Sequence, residues 1–393
     1  MKLASSSDEQ CMRRALDLAR AGLALVSPNP AVGAVIVDPS GREIGSGTHT
    51  YDGVKHAEVL ALEQAFERAR GATLYLNLEP CSHQGRTPPC ADAVIAAGIS
   101  RVVCSMQDPN PQVSGQGFAK LRAAGIKVEV GAFEAEAKKL NESFAKYIRT
   151  GKPLVTLKSA MTLDGKIADA KKPGTERETE ISAAMATTEG AHRGYHWITG
   201  EVARAHVQQL RHQHDAIMAG VGTVMADDPL LTDRSGLPRR RKLLRVILDS
   251  YLRIPIDSRI IQTVENDVLV LCSNGDESTK KLLESKGVRV QQVAAAAEGH
   301  PDFAAIVKSL GEREITSLLI EGGSLVNGAA LTSGEVDKVF LYYAPKFFGA
   351  EAVPFIAESL HGKAQCVQRF ELHRFGEDFA VEGYLRDPYT TAS

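Results

Sequence analysis

The stretch Glu79-Pro80-Cys81-Ser82-His83-Gln84-Gly85-Arg86-Thr87-Pro88-Pro89-Cys90, read with His56-Ala57-Glu58 upstream, decides how the rest of the chain is understood. A neutral imidazole and two thiolates form a ligand set that zinc prefers. Three protein ligands leave a fourth position for water, which separates an open zinc site from a sealed structural one. Glu58, two residues from His56, can move protons without occupying the metal. The flanking pattern places these groups: residues 73–78 alternate in character and predict a strand, His56 begins a helix that runs to Gly71, and Cys90 opens another. Helix N-termini carry partial positive charge, which favours thiolate over thiol.

Working outward, residues 32–37 and 43–48 predict strands joined by the turn Asp38-Pro39-Ser40-Gly41. Strands at 102–106 and 128–130 flank a helix at 117–124, and 133–148 reads as a closing helix. At the start, Ser7 with Gln10 fits a capping box, and Met12, Leu16, Ala19 and Leu23 line one helical face. Pro153 disfavours helix in the residue before it, so a boundary falls near 150 and divides the chain into 1–150 and 151–393. A second series predicts strands at 154–159, 216–220, 244–248, 268–272, 288–293, 318–321 and 339–342, with helices at 202–211, 279–285, 303–310 and 325–332. Residues 370–373 and 379–385 read as antiparallel strands that finish the sheet. Alternating helices and strands argue for an α/β fold in both halves.

At 393 residues the chain exceeds what one hydrophobic core usually serves. A net charge of −2 gives no electrostatic case for nucleic acid. The run Pro238-Arg239-Arg240-Arg241-Lys242 reads as a solvated loop in preference to an anion site. Arg13, Arg14, Asp17 and Arg20 interrupt any apolar core of a secretory signal, and no apolar run is long enough to span a bilayer. Of six cysteines, the metal site takes two; Cys11, Cys104, Cys272 and Cys366 have no regular spacing and read as free thiols of a reducing, cytoplasmic compartment.

His-x-Glu followed by Pro-Cys and a second Cys is the zinc-deaminase signature, in which two residues usually separate the cysteines. Here eight intervene, Ser82 to Pro89. A closed zinc knuckle with His49 or His83 as fourth ligand is the alternative. Downstream, Glu321-Gly322-Gly323-Ser324-Leu325 is a strand ending in two glycines before a helix, compatible with a pyrophosphate or with a plain tight turn. The fingerprint G-x-G-x-x-G is absent, which argues against a Rossmann domain. Asp164-Gly165 is equally a general acid followed by glycine or a common turn.

Ser-Pro-Asn-Pro-x-Val-Gly at 27–33, His56-Ala57-Glu58, the long-spaced cysteine loop and Gln107-Asp108-Pro109-Asn110-Pro111 occur in an order that resembles the deaminase half of the bifunctional riboflavin-biosynthesis family. Ala160-Met161-Thr162-Leu163-Asp164-Gly165-Lys166, Trp197-Ile198-Thr199, Gly222 to Thr232, Ile247-Leu248-Asp249-Ser250 and Glu321-Gly322-Gly323 resemble its reductase half. The resemblance implies a cytidine-deaminase-like three-layer α/β/α domain followed by a dihydrofolate-reductase-like α/β domain. It implies one Zn2+ per chain on His56, Cys81 and Cys90, with Glu58 as proton shuttle. Asn29, His49, His83, Arg86, Asp108 and Asn110 would meet a phosphorylated pyrimidine. NADPH would lie along Ala160, Trp197, Thr223, Asp227, Ser250 and the segment Gly323, Ser324, Leu325, Val326, Asn327, Gly328 and Ala329. Tyr195, Arg211, Leu231, Arg234 and Glu321 would hold the substrate to be reduced. Two departures stand out: an insertion at about 168–194, a solvated excursion or a lid, and Tyr195 in place of a small hydroxyl residue. The expectation is therefore deamination followed by NADPH-dependent reduction, with small-molecule partners, no nucleic acid, no membrane, and a homo-oligomer (dimer or tetramer) in the cytoplasm. Two rival readings remain: a deaminase with a non-catalytic ligand-binding C-terminal module, and a nucleic-acid-editing or zinc-binding interaction protein.

Overall fold

Glycines in the second strand fix where the metal-bearing helix sits. In the computed structural model, which describes residues 6–85, 87–169, 197–296, 299–357 and 364–390, α1 (Ser6–Ala21) and the short α2 (Leu23–Val26) lead into β1 (Gly33–Val37) and β2 (Glu43–Thr48). Then follow α3 (Ala57–Ala65), β3 (Thr73–Leu78), α4 (Cys90–Ala96), β4 (Arg101–Met106), α5 (Gln116–Ala123), β5 (Lys127–Val130), α6 (Glu134–Leu140) and α7 (Glu142–Thr150). A Cβ on Gly45 would come within 2.1 Å of the Ala61 carbonyl oxygen, and one on Gly47 within 2.3 Å of that of Ala57. Only glycine lets α3 lie this close to β2. Arg86, Tyr195 and the charged stretch 171–180 of the expected insertion lie outside the described residues.

The N-terminal sheet has the order β2-β1-β3-β4-β5, antiparallel across β1 and parallel from β3 to β5. Ala34, Ile36, Leu74, Leu76, Val102 and Cys104 pack with Ala57, Ala61, Val94 and Leu121 on one face. Val35, Val37, Tyr75 and Val103 meet Met12 and Ala15 of α1 on the other. Three layers result, as expected. The single closing helix expected at 133–148 is instead two, α6 and α7, broken at Asn141. That side chain is buried and bonds the Ala31 backbone in both directions, its Oδ1 accepting at 2.8 Å and its Nδ2 donating at 3.1 Å. A long-range side-chain bond thus fixes Asn141 where the two helices meet.

The C-terminal half adds β6 (Leu154–Thr162), β7 (Lys166–Ala168), α8 (Glu201–Gln213), β8 (Ala216–Gly220), α9 (Val221–Asp227), β9 (Leu244–Leu248), α10 (Arg259–Gln262), β10 (Val268–Cys272) and α11 (Glu277–Ser285). It continues with β11 (Arg289–Gln292), α12 (Phe303–Glu312), β12 (Ser317–Ile320), α13 (Ser324–Ser333), β13 (Lys338–Ala344), β14 (Val353–Pro354), β15 (Gln368–Phe375) and β16 (Asp378–Tyr384). Nine strands form one sheet, β11-β10-β9-β8-β12-β6-β13-β16-β15. It is parallel except for the antiparallel pairs of β16, so the terminal hairpin finishes the sheet as expected. Val155, Leu157, Met218, Val246 and Leu318 pack against α12 and α13, while Ile217, Ile247 and Val270 cover the opposite face with α9 and α11. The helices α9 and α10 were not foreseen. Among the described residues no helix is long and apolar enough to cross a membrane.

The two halves are joined by buried charge. Lys146 meets Asp337 at 2.8 Å, and Lys338 meets Glu142 at 2.6 Å and Glu382 at 2.8 Å. Lys139 reaches Glu382 at 2.8 Å. The basic run also belongs here, which corrects its reading as a solvated loop. Arg239 bonds Asp233 and the His214 carbonyl, Arg240 bonds Asp52 and the Ser27 carbonyl, and Arg241 bonds the Ser27 hydroxyl. These partners of Arg240 and Arg241 lie 188 to 214 residues away, out of reach of any local pattern.

Burial alone would raise the Glu382 carboxyl, but the charges of Lys338 and Lys139 outweigh it and hold the group at about 2, below an ordinary value of roughly 4.3. A depressed carboxyl contributes stability that is complete above the unfolded value and fades as pH falls towards the folded one. Replacing Lys139 by Ala should therefore move the acid-unfolding midpoint to higher pH, read by near-ultraviolet circular dichroism of variant and parent. An unchanged midpoint would remove Lys139 from this account.

Candidate active sites

His56 stands at the N-cap of α3 with extended backbone (φ −75°, ψ 160°), so its ring leaves the helix axis and faces α4. Its Nδ1 lies 3.1 Å from Cys90 Sγ and 3.6 Å from Cys81 Sγ. The Cys90 backbone N–H donates to Cys81 Sγ at 3.2 Å, fastening the first thiol to the start of α4. All three ligand atoms lie within 4.8 Å of one another. Zinc–sulfur and zinc–nitrogen bonds in a tetrahedron would set such donors roughly 3.5–3.8 Å apart. The donor set and its spacing fit zinc.

The two thiols cannot behave alike. Bonds from the Cys90 thiol, from His56 and from the Cys90 amide hold Cys81 down to about 4, against the pull of burial. Cys90, which donates to Cys81 and is buried, is driven upward. Glu58 is 3% exposed, and burial pushes its carboxyl up to about 7, opposed in part by His56. A carboxyl near neutrality can both take and return a proton.

Among the described residues no fourth side chain joins the cluster. His49 Nδ1 donates to the Lys55 carbonyl at 3.0 Å, which leaves Nε2 to accept from Asn29 Nδ2 at 3.0 Å. Its ring stands edge-on to His56 with centroids 5.0 Å apart. His83 is exposed. The closed-knuckle reading thus loses both of its candidate ligands. Asp108 and Asn110 follow β4 on the same side of the sheet, and the Asn110 N–H donates to Asp108 Oδ1 at 2.8 Å. Burial raises the Asp108 carboxyl to about 6, with His83 opposing. The buried Glu79 accepts the N–H groups of Asp108, Gly115 and Phe118 at 3.0, 2.9 and 3.2 Å, so it holds this loop against the cysteine turn. Nothing in the local sequence around Glu79 points to this role, since the loop it holds lies 29 to 36 residues on.

The second site lies at the carboxyl ends of β6, β12 and β8, where open α/β sheets place their ligands. β6 runs beyond β12, so Lys158 and Glu321 come together at 3.2 Å. Arg211 grips the same carboxylate with two bonds, 2.7 and 3.1 Å. Burial would raise Glu321, but Arg211 and then Lys158 prevail and hold it well below the carboxylate range. Arg211 is committed to Glu321, whereas Arg234 opens to solvent, and the partial burial of its guanidinium with the charges of Arg211 and Arg259 lowers its proton affinity. Converging guanidinium groups suit a phosphate. Lys158 and Arg259 were missed. Lys158 lies two residues before Ala160, on the same strand face, so strand alternation carried that signal; Arg259 had none.

Of the expected cofactor residues, Thr223 and Gly323 converge: a Cβ on Gly323 would stand 3.5 Å from Thr223 Oγ1. A Cβ on Gly220 or Gly322 would come within 2.7 Å of Val326, so glycine lets the first turn of α13 settle on the strand ends. Gly323 offers no side-chain cap, which leaves the first-turn N–H groups for an anion such as a pyrophosphate. Ser324 and Leu325 share that turn, Val326 packs behind it, and Ala329 is exposed one turn on. Asn327 and Gly328 lie on the buried side of α13. Ala160 lies on β6 beside Tyr342, Asp227 ends α9, and Ser250 follows β9 with its hydroxyl 3.0 Å from His300 Nδ1. Trp197 is 58% exposed beneath the Arg204 guanidinium.

One expectation is narrowed and one is corrected. Leu231 is 4% exposed and packs with Ile217 and Ile247, so its side chain serves the core and only its backbone can reach a ligand. Asp164 accepts from Thr162 and from the N–H groups of Phe348 and Gly349, and these bonds hold it below the usual carboxylate range. It pins a turn and is ionised at neutral pH, contrary to the general-acid reading.

Comparison with known proteins covers both halves. The family model described as the cytidine and deoxycytidylate deaminase zinc-binding region matches residues 5–106, and the RibD C-terminal domain matches 153–381. The riboflavin biosynthesis protein RibD of Aquifex aeolicus is 40% identical over 380 residues, covering 95% of this chain and 97% of that one. Its counterpart in Escherichia coli K12 is 42% identical over 356 residues, covering 88% and 89%. The solved structure of Acinetobacter baumannii RibD superposes with a TM-score of 0.77 at 35% identity, covering 96% and 98%. A Thermotoga maritima diaminohydroxyphosphoribosylaminopyrimidine deaminase/5-amino-6-(5-phosphoribosylamino)uracil reductase gives 0.74 at 36%, with the same coverage.

Because the Cys90 thiol must give up its proton to bind a divalent ion, zinc added to metal-free protein at neutral pH should release about one proton or more per ion bound. A pH indicator in weak buffer reads this directly. Uptake of zinc with no proton released would contradict the shared-proton description.

Proposed function

The chain belongs to the RibD family of riboflavin biosynthesis, and from that premise we propose which of its residues carry each of two consecutive reactions. It is a bifunctional enzyme, a zinc-dependent deaminase joined to an NADPH-dependent reductase. The deaminase substrate under this reading is 2,5-diamino-6-(5-phosphoribosylamino)pyrimidin-4(3H)-one. The product, 5-amino-6-(5-phosphoribosylamino)uracil, then has its ribosyl side chain reduced to ribityl.

His56, Cys81 and Cys90 would hold the zinc, which when bound makes water a competent nucleophile near neutral pH. Glu58 takes a proton from the attacking water and delivers it to the departing amine, so that ammonia leaves where an amide anion could not. Asn29 and the His49 ring it contacts orient the pyrimidine. Asp108 and Asn110 close the pocket, while His83 and Arg86 in the cysteine loop serve the phosphate end. The observation that carries this reading is the three-ligand cluster with a buried carboxyl against it and no fourth side-chain ligand among the described residues.

In the second reaction NADPH, when bound, would supply the hydride that reduces the ribosyl side chain. The first turn of α13, with Thr223, Ala160, Trp197, Asp227 and Ser250 along the cleft, would seat the cofactor. Glu321, held ionised by Arg211 and Lys158, positions the sugar hydroxyls, and Arg234 with Arg259 receives the phosphate. A reducing cytoplasm suits both NADPH and the free cysteines. Homo-oligomerisation is supported by the exposed edge strand β15, where Phe370 and Leu372 are 60% and 68% exposed.

Replacing Glu58 by Gln in the full chain should lower deamination by about 10²–10⁴-fold, leave bound zinc at the parent level, and leave reduction of the deaminated intermediate unchanged. Loss of both activities in a folded, zinc-loaded protein would contradict two independent sites.

A further inference from the structure

The basic run at 239–241 is assigned no part in either reaction, yet its position is specific. Arg240 belongs to the reductase half, but it reaches into the two loops that present Asn29 and His49 to the deaminase pocket. Its backbone N–H donates to the Ala24 carbonyl at 2.9 Å. Its NH1 donates to the Ser27 carbonyl at 2.8 Å, two residues before Asn29. Its Nε donates to Asp52 Oδ1 at 3.1 Å, three residues after His49, and its guanidinium carbon lies 3.6 Å from the centroid of the Tyr51 ring. Arg241 adds a bond from NH2 to the Ser27 hydroxyl at 2.9 Å, and that hydroxyl donates onward to Asp215 Oδ2 at 2.7 Å.

The side chain is 20% exposed against 74% for Asp52, so the Asp52 contact is the weakest of the set. Stacking on Tyr51 and the charged bond to a carbonyl oxygen are the contacts that resist solvent. Together they press the Ser27 loop onto the Tyr51 loop. Asn29 Nδ2 meets His49 Nε2 at 3.0 Å across that same junction. The N–H groups of His49 and Tyr51 also bond the Val32 and Leu25 carbonyls at 3.0 Å, so loss of the clamp loosens the rim of the pocket without opening it. The zinc ligands have anchors of their own: His56 at the N-cap of α3, Cys90 in the first turn of α4, and Cys81 on the Cys90 N–H.

We propose that Arg240 is a positioning residue of the deaminase supplied by the reductase domain, which holds Asn29 and His49 at the separation the pyrimidine requires. The inference rests on the reading that Asn29 and His49 contact the deaminase substrate. Arg239, beside it, bonds Asp233 at 2.9 Å next to Arg234, so one short run borders both sites.

The test uses full-length Arg240→Ala, Arg240→Lys and Asn29→Ala, each assayed for deaminase KM and kcat, zinc content and reduction of the deaminated intermediate. Arg240→Ala should raise the deaminase KM about five- to twenty-fold, with kcat, zinc content and reductase kcat/KM within about twofold of the parent, an effect comparable with one well-placed charged hydrogen bond. Arg240→Lys, which retains the charge, should recover part of the KM, and it stands as the readout should the alanine variant fold poorly. If Asn29→Ala raises KM while neither Arg240 variant does, the clamp is wrong and the pocket assignment stands. If Asn29→Ala leaves KM unchanged, the pocket assignment itself fails. Parallel loss of both activities in the Arg240 variants would make the residue a general structural support and overturn the proposal.

Discussion

Two thiols and an imidazole held within 4.8 Å of one another cannot all keep their protons. Cys81 gives up its proton more readily, because its thiolate accepts the bond that the Cys90 thiol donates, while Cys90 keeps its own proton. A divalent cation resolves the conflict by replacing the shared proton, which makes the cluster a metal site by chemistry as well as by shape. The rest of the N-terminal half serves that constraint. Gly45 and Gly47 let α3 lie flat on β2, and the N–H of Cys90 ties Cys81 to the start of α4.

Both sites obey one architectural rule. The cysteine turn follows β3 and the Asp108 loop follows β4, adjacent parallel strands, and antiparallel β1 begins at the same edge. In the second sheet Glu321 follows β12 and the first turn of α9 follows β8, again parallel neighbours. Carboxyl ends of parallel strands leave a crevice where backbone N–H groups and helix N-termini point at a ligand. Buried lysine–carboxylate pairs then fix the two halves against each other, with Arg240 and Arg241 reaching across.

The local elements were largely legible because hydrophobic alternation is a local signal: β2, β3, β8, β9 and β10 occupy the residues the pattern indicates. His56, Cys81 and Cys90 were legible because a metal demands particular side chains at particular spacings. What the sequence hid depends on distant partners. Asn141 breaks a helix because Ala31 is beside it, Asp164 is pinned by residues 348 and 349, and Leu231 turns inward with φ +53°. The basic run looked solvated for the same reason, since neither Ser27 nor Tyr51 is near it in sequence.

The most direct measurement of the central claim is mass spectrometry of the products formed from the diamino pyrimidine substrate by the purified zinc-loaded chain, with and without NADPH. Two sites working in series predict a product in which oxygen replaces an amine when NADPH is withheld, and the same product carrying two further hydrogens when it is supplied. A reduced product that retains the amine, or a deaminated product left unreduced in the presence of NADPH, would contradict the account.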